Sequence, residues 1–128
     1  MKKSILLLLV SAVLFFSCKK DDPIPPVDLS GTTFKGTAVI GTINYDPFTL
    51  IFNADGTAQV TIGSFAPFAG SWNKTPNSSI VYFFFNESPT LTWKGSATLS
   101  TNNTKLENGT VTRLTPSTIN GTFTANKQ

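Results

Sequence analysis

The chain has no histidine, a single cysteine, and only ten basic and seven acidic side chains among 128 residues. Without histidine there is no Ser-His-Asp triad, no imidazole general base and no imidazole metal ligand. One cysteine makes neither an intrachain disulfide nor a thiolate cluster for zinc. Acidic residues are too sparse for an Asp-x-Asp-x-Asp calcium run. Helix formers are scarce as well. From Leu29 to Gln128 there are six Leu and two Glu, against 19 Thr, 10 Asn and 9 Gly. That composition suits strands and turns and disfavours helices.

Charge of one sign is missing from the body too. The formal net charge is +3, but Lys2, Lys3, Lys19 and Lys20 all stand in the first 20 residues. Between Leu29 and Gln128 six Lys/Arg face four carboxylates, so the body is close to neutral and offers no basic stripe for nucleic acid. The carboxylates do not suggest catalysis. Asp46, Asp55 and Glu87 fall in predicted turns, and no spacing pairs them as a general acid and base. The expectation is a non-enzymatic protein with no cofactor and no metal site.

Long hydrophobic runs are absent with one exception. Residues 5–16 are twelve uncharged, apolar-rich positions behind Lys2 and Lys3. Twelve residues at 1.5 Å each cannot cross a hydrocarbon core of about 30 Å, but they suit the apolar region of a secretory signal peptide. The run ends at Phe15-Phe16-Ser17-Cys18. A small residue directly before the only cysteine resembles the lipobox of a bacterial lipoprotein. That resemblance implies cleavage between Ser17 and Cys18 and acylation of Cys18, with the membrane held through the lipid anchor. A lone thiol in an oxidising compartment is a liability that acylation removes. Two or three acyl chains at about 0.8 kcal/mol per buried CH₂ make a lasting anchor.

Lys19, Lys20, Asp21 and Asp22 follow. A lysine and two acidic residues just after the lipidated cysteine resemble the export signal of Bacteroidota surface lipoproteins. The resemblance implies an outer-membrane address facing the medium. Residues 23–28, three of them proline, read as an extended spacer. The organisation is therefore a signal peptide over 1–17, a lipidated cysteine and tether over 18–28, and one domain over 29–128.

Within that domain, period-two alternation recurs along the chain, and no window holds a 3.6-residue period. It predicts strands at 32–41, 47–52, 57–62, 65–73, 79–86, 90–100, 105–114 and 118–125. A hairpin loop is predicted at Asn53-Ala54-Asp55-Gly56, and a bulge near Asn108-Gly109 where the alternation slips phase. Pro67 implies an edge or a bend in the fourth strand. The fifth strand reads as apolar on both faces, so its outer face is expected to be covered. Short hairpin connections favour an up-and-down meander, and eight antiparallel strands in a meander close into a barrel without edges. A two-sheet sandwich is the alternative, although no long crossover connection is seen.

Leu29-Ser30-Gly31-Thr32-Thr33-Phe34, Phe52-Asn53-Ala54-Asp55-Gly56-Thr57, Gly70-Ser71-Trp72 and Gly121-Thr122-Phe123 together make the domain similar to small lipocalin-like (calycin-type) lipoproteins of Bacteroidota. The resemblance implies an eight-stranded barrel.

Trp72, Tyr82, Phe84 and Trp93 fall on consecutive predicted strands. Lining the interior, they would stack on a small apolar ligand or a sugar ring; otherwise they fill the barrel as core. Trp93 is expected inward, between Leu91 and Gly95, with the glycine leaving room for the indole. The leading expectation is a membrane-anchored barrel with a binding or structural task. The alternatives are a carrier of a small apolar ligand and an accessory subunit of an envelope protein, the latter through an exposed patch of Val81, Phe83 and Phe85.

Overall fold

The structure, a computed structural model, describes residues 27–128. The expected signal peptide, lipidation site and export signal, including Ser17, Cys18 and Lys19 to Asp22, lie outside the described residues. The fold is all-β. Strands β1 (Thr32–Ile40), β2 (Ile43–Phe52), β3 (Thr57–Ile62), β4 (Phe68–Lys74), β5 (Ile80–Ser88), β6 (Leu91–Leu99), β7 (Lys105–Arg113) and β8 (Ile119–Lys127) follow one another in space as they do in sequence. Every neighbouring pair is antiparallel, and β8 returns to β1, from Phe34 opposite Lys127 to Ile40 opposite Gly121. The meander is a closed eight-stranded barrel and not a sandwich. Closure leaves no strand with a free row of backbone donors and acceptors.

Alternation decides which side chains fill the barrel. Phe48, Leu50 and Phe52 of β2, Ala58, Val60 and Ile62 of β3, and Val81, Phe83 and Phe85 of β5 all point inward and are buried. Trp93, Ala97 and Leu99 of β6, Leu106 and Val111 of β7, Phe123 and Ala125 of β8, and Phe34, Ala38 and Ile40 of β1 are buried with them. Each fully buried Leu or Phe contributes roughly 1.5–3 kcal/mol relative to exposure. At the centre the Phe123 ring meets Phe48 at 4.8 Å and Phe83 at 5.7 Å between centroids. The interior is a packed core.

Glycines make room for these rings. Gly95 stands opposite Phe83, and a Cβ on Gly95 would overlap the Phe83 ring. The space beside Gly95 therefore belongs to Phe83 on β5, not to Trp93 on its own strand. Gly109 does the same for Phe123, whose ring atoms lie 2.6 Å from where a Cβ would stand. The β7 bulge is where the alternation slips: the register jumps between Leu106 and Gly109, and Asn108 takes a positive φ of 51°. The extra residue there turns Gly109 and Val111 inward.

Further sequence expectations about the strands need correction: Asp46 lies within β2 and Glu87 within β5, not in turns. β2 starts at Ile43, four residues before the predicted start. A register shift against Gly36 and Ala38 moves the inward phase from Phe48 to Tyr45, which hides the alternation in that half of the strand. β4 starts at Phe68, leaving Phe65 and Pro67 in the preceding loop, where proline's missing N–H costs no ladder bond. The outer face of β5 is uncovered: Ile80, Tyr82 and Phe84 are 38–40% exposed.

The two ends of the barrel differ. At one, residues 27–31 enter beside the β2–β3, β4–β5 and β6–β7 turns. Leu29 is buried there, and the Gly31 N–H donates to the Phe52 carbonyl at 2.6 Å. The Trp72 indole packs on Phe52 at 5.1 Å and donates from Nε1 to the Asn53 carbonyl at 2.8 Å. This end, the base, is plugged. The other end, the mouth, carries the β1–β2, β3–β4, β5–β6 and β7–β8 turns, and among the described residues no terminal segment reaches it.

Candidate functional site: the barrel mouth

The four aromatic residues singled out from the sequence do not share one lining. Trp72 belongs to the base. Tyr82 and Phe84 project outward from β5, because Val81, Phe83 and Phe85 take the inward positions. Only Trp93 reaches the mouth. The patch expected from Val81, Phe83 and Phe85 is likewise reversed: those three are core, and the outer row is Ile80, Tyr82 and Phe84.

What the fold does assemble is a solvent-open cleft of about 320 Å³ at the mouth. Its walls include Ile40, Tyr45, Ile62, Phe65, Phe68 and Ile119, with Trp93, Glu87 and Arg113 on one side. The volume is at the lower end of small-molecule sites, which run about 300–1,000 Å³. Phe65 stands on the β3–β4 loop, 57% exposed, with its ring 6.5 Å from Tyr45 and 6.4 Å from Phe68. Gly63, at φ 57°, lets the chain leave β3 sharply, and its N–H donates to the Pro47 carbonyl at 2.7 Å. That bond ties the Phe65 loop to β2.

Trp93 organises the charged side. Phe85, Trp93 and Arg113 are register partners across β5, β6 and β7. The Phe85 ring is parallel to the indole within 5° at 5.7 Å. From the β7 side the Arg113 guanidinium lies 6.0 Å from the indole centroid, at the limit of a cation–π contact. Indole Nε1 donates to Glu87 Oε2 at 2.9 Å. Glu87 is the extra residue of a register shift between Asn86 and Ser88, so the bulge aims its carboxylate at the indole edge. Trp93 is 6% exposed and covered by these neighbours. It is the wall of the cleft, and its faces are not free for a stacking ligand.

Arg113 is the chain's only arginine. It is half-buried, and the β7–β8 loop orients it: Nε donates to the Ser117 carbonyl at 3.2 Å and Nη2 to Ser117 Oγ at 2.8 Å. Among the described residues its guanidinium has no carboxylate within ion-pair distance; the one such pair is Lys105 with Glu107 on the outer wall. Arg113 was not singled out from the sequence, although its period-two phase with Gly109 and Val111 is a signal that could have marked it as inward. Glu87, Tyr45 and Phe65 carry no such signal, because two bulges and a loop break the alternation around them.

The base carries turn chemistry. The Thr57 hydroxyl and then its N–H donate to Asp55 and hold that carboxyl below the usual carboxylate range; Ser30 does the same for Asp28. Among the described residues no three Asp, Glu, Cys or His side chains converge as a metal-donor set. Comparison with protein-family models, with curated proteins and with solved structures finds no match for the chain.

Proposed function

We propose that the protein is a lipid-anchored lipoprotein of the outer membrane, displayed at the cell surface, whose barrel is a non-enzymatic binding module that works through its mouth. The observation that carries the binding role is the contrast between the ends. The interior and base are filled by side chains, while the mouth keeps an open apolar cleft with an oriented cation at its edge. The anchoring part rests on the twelve-residue apolar-rich run that ends at the sole cysteine. The two parts fit together geometrically. The described chain enters the barrel at the base, which supports a reading in which a tether rooted at Cys18 holds the base nearer the membrane than the mouth.

As a carrier of a small apolar ligand, the protein would hold it in the mouth, since the barrel itself is occupied by Phe48, Phe83 and Phe123. The outer row of Ile80, Tyr82 and Phe84 favours a second reading, an accessory subunit that docks an envelope protein on β5.

Cell fractionation tests the anchor. Cys18→Ala should release the protein from membranes and abolish labelling by a fatty-acid analogue. Protease should reach the wild type on intact cells and lose access when Lys20, Asp21 and Asp22 are replaced by Ala. Unchanged membrane partition of Cys18→Ala would remove the lipoprotein reading.

A further inference from the structure

We infer that the mouth selects a small apolar anion, a compact aromatic or branched aliphatic carboxylate, with its acid group on Arg113 and its body against Tyr45, Phe65 and Phe68. This rests on the mouth being the binding end and adds the class of ligand.

Charge complementarity is the first support. Arg113 is half-buried at the edge of an apolar-walled, solvent-open cleft, so an anion entering the cleft would meet a cation with no carboxylate partner among the described residues. Glu87 does not supply one: its Oε2 takes the indole N–H, and among the described residues it makes no ion pair with Arg113. Trp93 stands between the two charges, edge toward Glu87 and face toward Arg113.

Orientation is the second support. A guanidinium has five N–H donors in a planar fork that matches a carboxylate. Ser117 uses two of them, through Nε and Nη2. Three remain, held at a fixed angle by a loop that is itself part of the rim. Ordering the fork in advance lowers the entropic cost of capture. The cleft volume of about 320 Å³, at the lower end for small-molecule sites, suits a compact body of one or two fused rings.

The test is calorimetric titration of the full chain in phospholipid nanodiscs with 1-naphthoate, 1-naphthamide and 1-naphthylmethylammonium. Empty nanodiscs are titrated alongside to subtract partition into lipid. The expected result is naphthoate binding at least tenfold tighter than the amide and the ammonium, with the advantage lost in Arg113→Gln and weakened by added salt. Equal affinity for naphthoate and the amide would overturn the anion assignment and leave an apolar mouth. Preference for the ammonium would assign the charge recognition to Glu87 instead. A naphthoate preference that survives in Arg113→Gln would remove Arg113 from the site. If none of the three binds, the mouth is not a ligand site and the underlying reading fails with it. Should Arg113→Gln not fold, the comparison of probes and its salt dependence on the wild type still decide.

Discussion

Trp93 shows how much one side chain does here. It covers Phe85, carries the guanidinium of Arg113 and satisfies its own N–H on Glu87, all at 6% exposure. Its neighbour Thr92 faces outward and makes one hydroxyl bond, to Asn86 Oδ1 at 3.0 Å. Truncating a buried tryptophan typically costs about 3–5 kcal/mol, from lost burial and the cavity left behind. Small domains hold roughly 5–15 kcal/mol in total. Trp93→Ala should therefore lower the denaturation midpoint sharply, while Thr92→Ala moves it by less than about 1 kcal/mol equivalent. Denaturant melts of the two variants check this, and coincident midpoints would mean that β6 has the opposite facing.

At the scale of the element, the β2–β3 hairpin joins local and global demands. Gly56 takes φ 81°, which an L side chain rarely adopts, and its N–H closes the turn on the Asn53 carbonyl at 3.2 Å. Asp55 bridges to the first residue of β3 through both the hydroxyl and the N–H of Thr57. These bonds favour the ionised carboxylate, so the folded protein binds that proton less readily than the unfolded chain. The sign follows from linkage. The contribution is fully present above about pH 4, the ordinary aspartate value, and is lost as pH falls through the lowered folded value. Asp55→Ala should melt earlier than wild type at pH 7, with the gap narrowing as pH falls below the ordinary aspartate value. Thermal melts of both proteins across that pH range measure it. A gap independent of pH would show that the carboxylate charge has no part in the turn.

The whole molecule is polar along its axis. The four turns at the mouth, residues 41–42, 63–67, 89–90 and 114–118, contain no charged side chain. Lys35, Lys74, Lys105, Glu107 and Lys127 sit in the base half of their strands, whereas Asp46, Glu87, Lys94 and Arg113 sit in the mouth half, two of each sign. Strands of nine residues at about 3.3 Å each, tilted in a barrel, separate the two ends by roughly 20–25 Å. With the protein membrane-bound, a fluorophore on Asn102→Cys at the base should be quenched strongly by brominated lipids, and one on Thr42→Cys at the mouth weakly. Stronger quenching at Thr42 would place the mouth against the bilayer and overturn the outward orientation.

Much of this was legible from the chain alone. Period-two alternation with short Asn- and Gly-rich turns located all eight strands, and the hairpin-only connections favoured closure. Alternation is a local consequence of the pleat, so it survives in the sequence wherever one face is buried. The inward facing of Trp93 followed from it, and so did the β7 bulge. The tertiary structure decided what alternation cannot carry. On β5 both faces are apolar, so only closure of the barrel could say that Phe83 and Phe85 go in and Tyr82 and Phe84 stay out. The partner of Gly95 is likewise across the sheet, on Phe83, and not along the strand. The mouth exists because two register shifts turn Tyr45 and Glu87 toward one end, where a loop brings Phe65 and β7 delivers Arg113. Each shift is set by a neighbouring strand's hydrogen bonds, which no single segment encodes. The cleft is therefore a property of the closed ring, whereas the strands that frame it are a property of the chain.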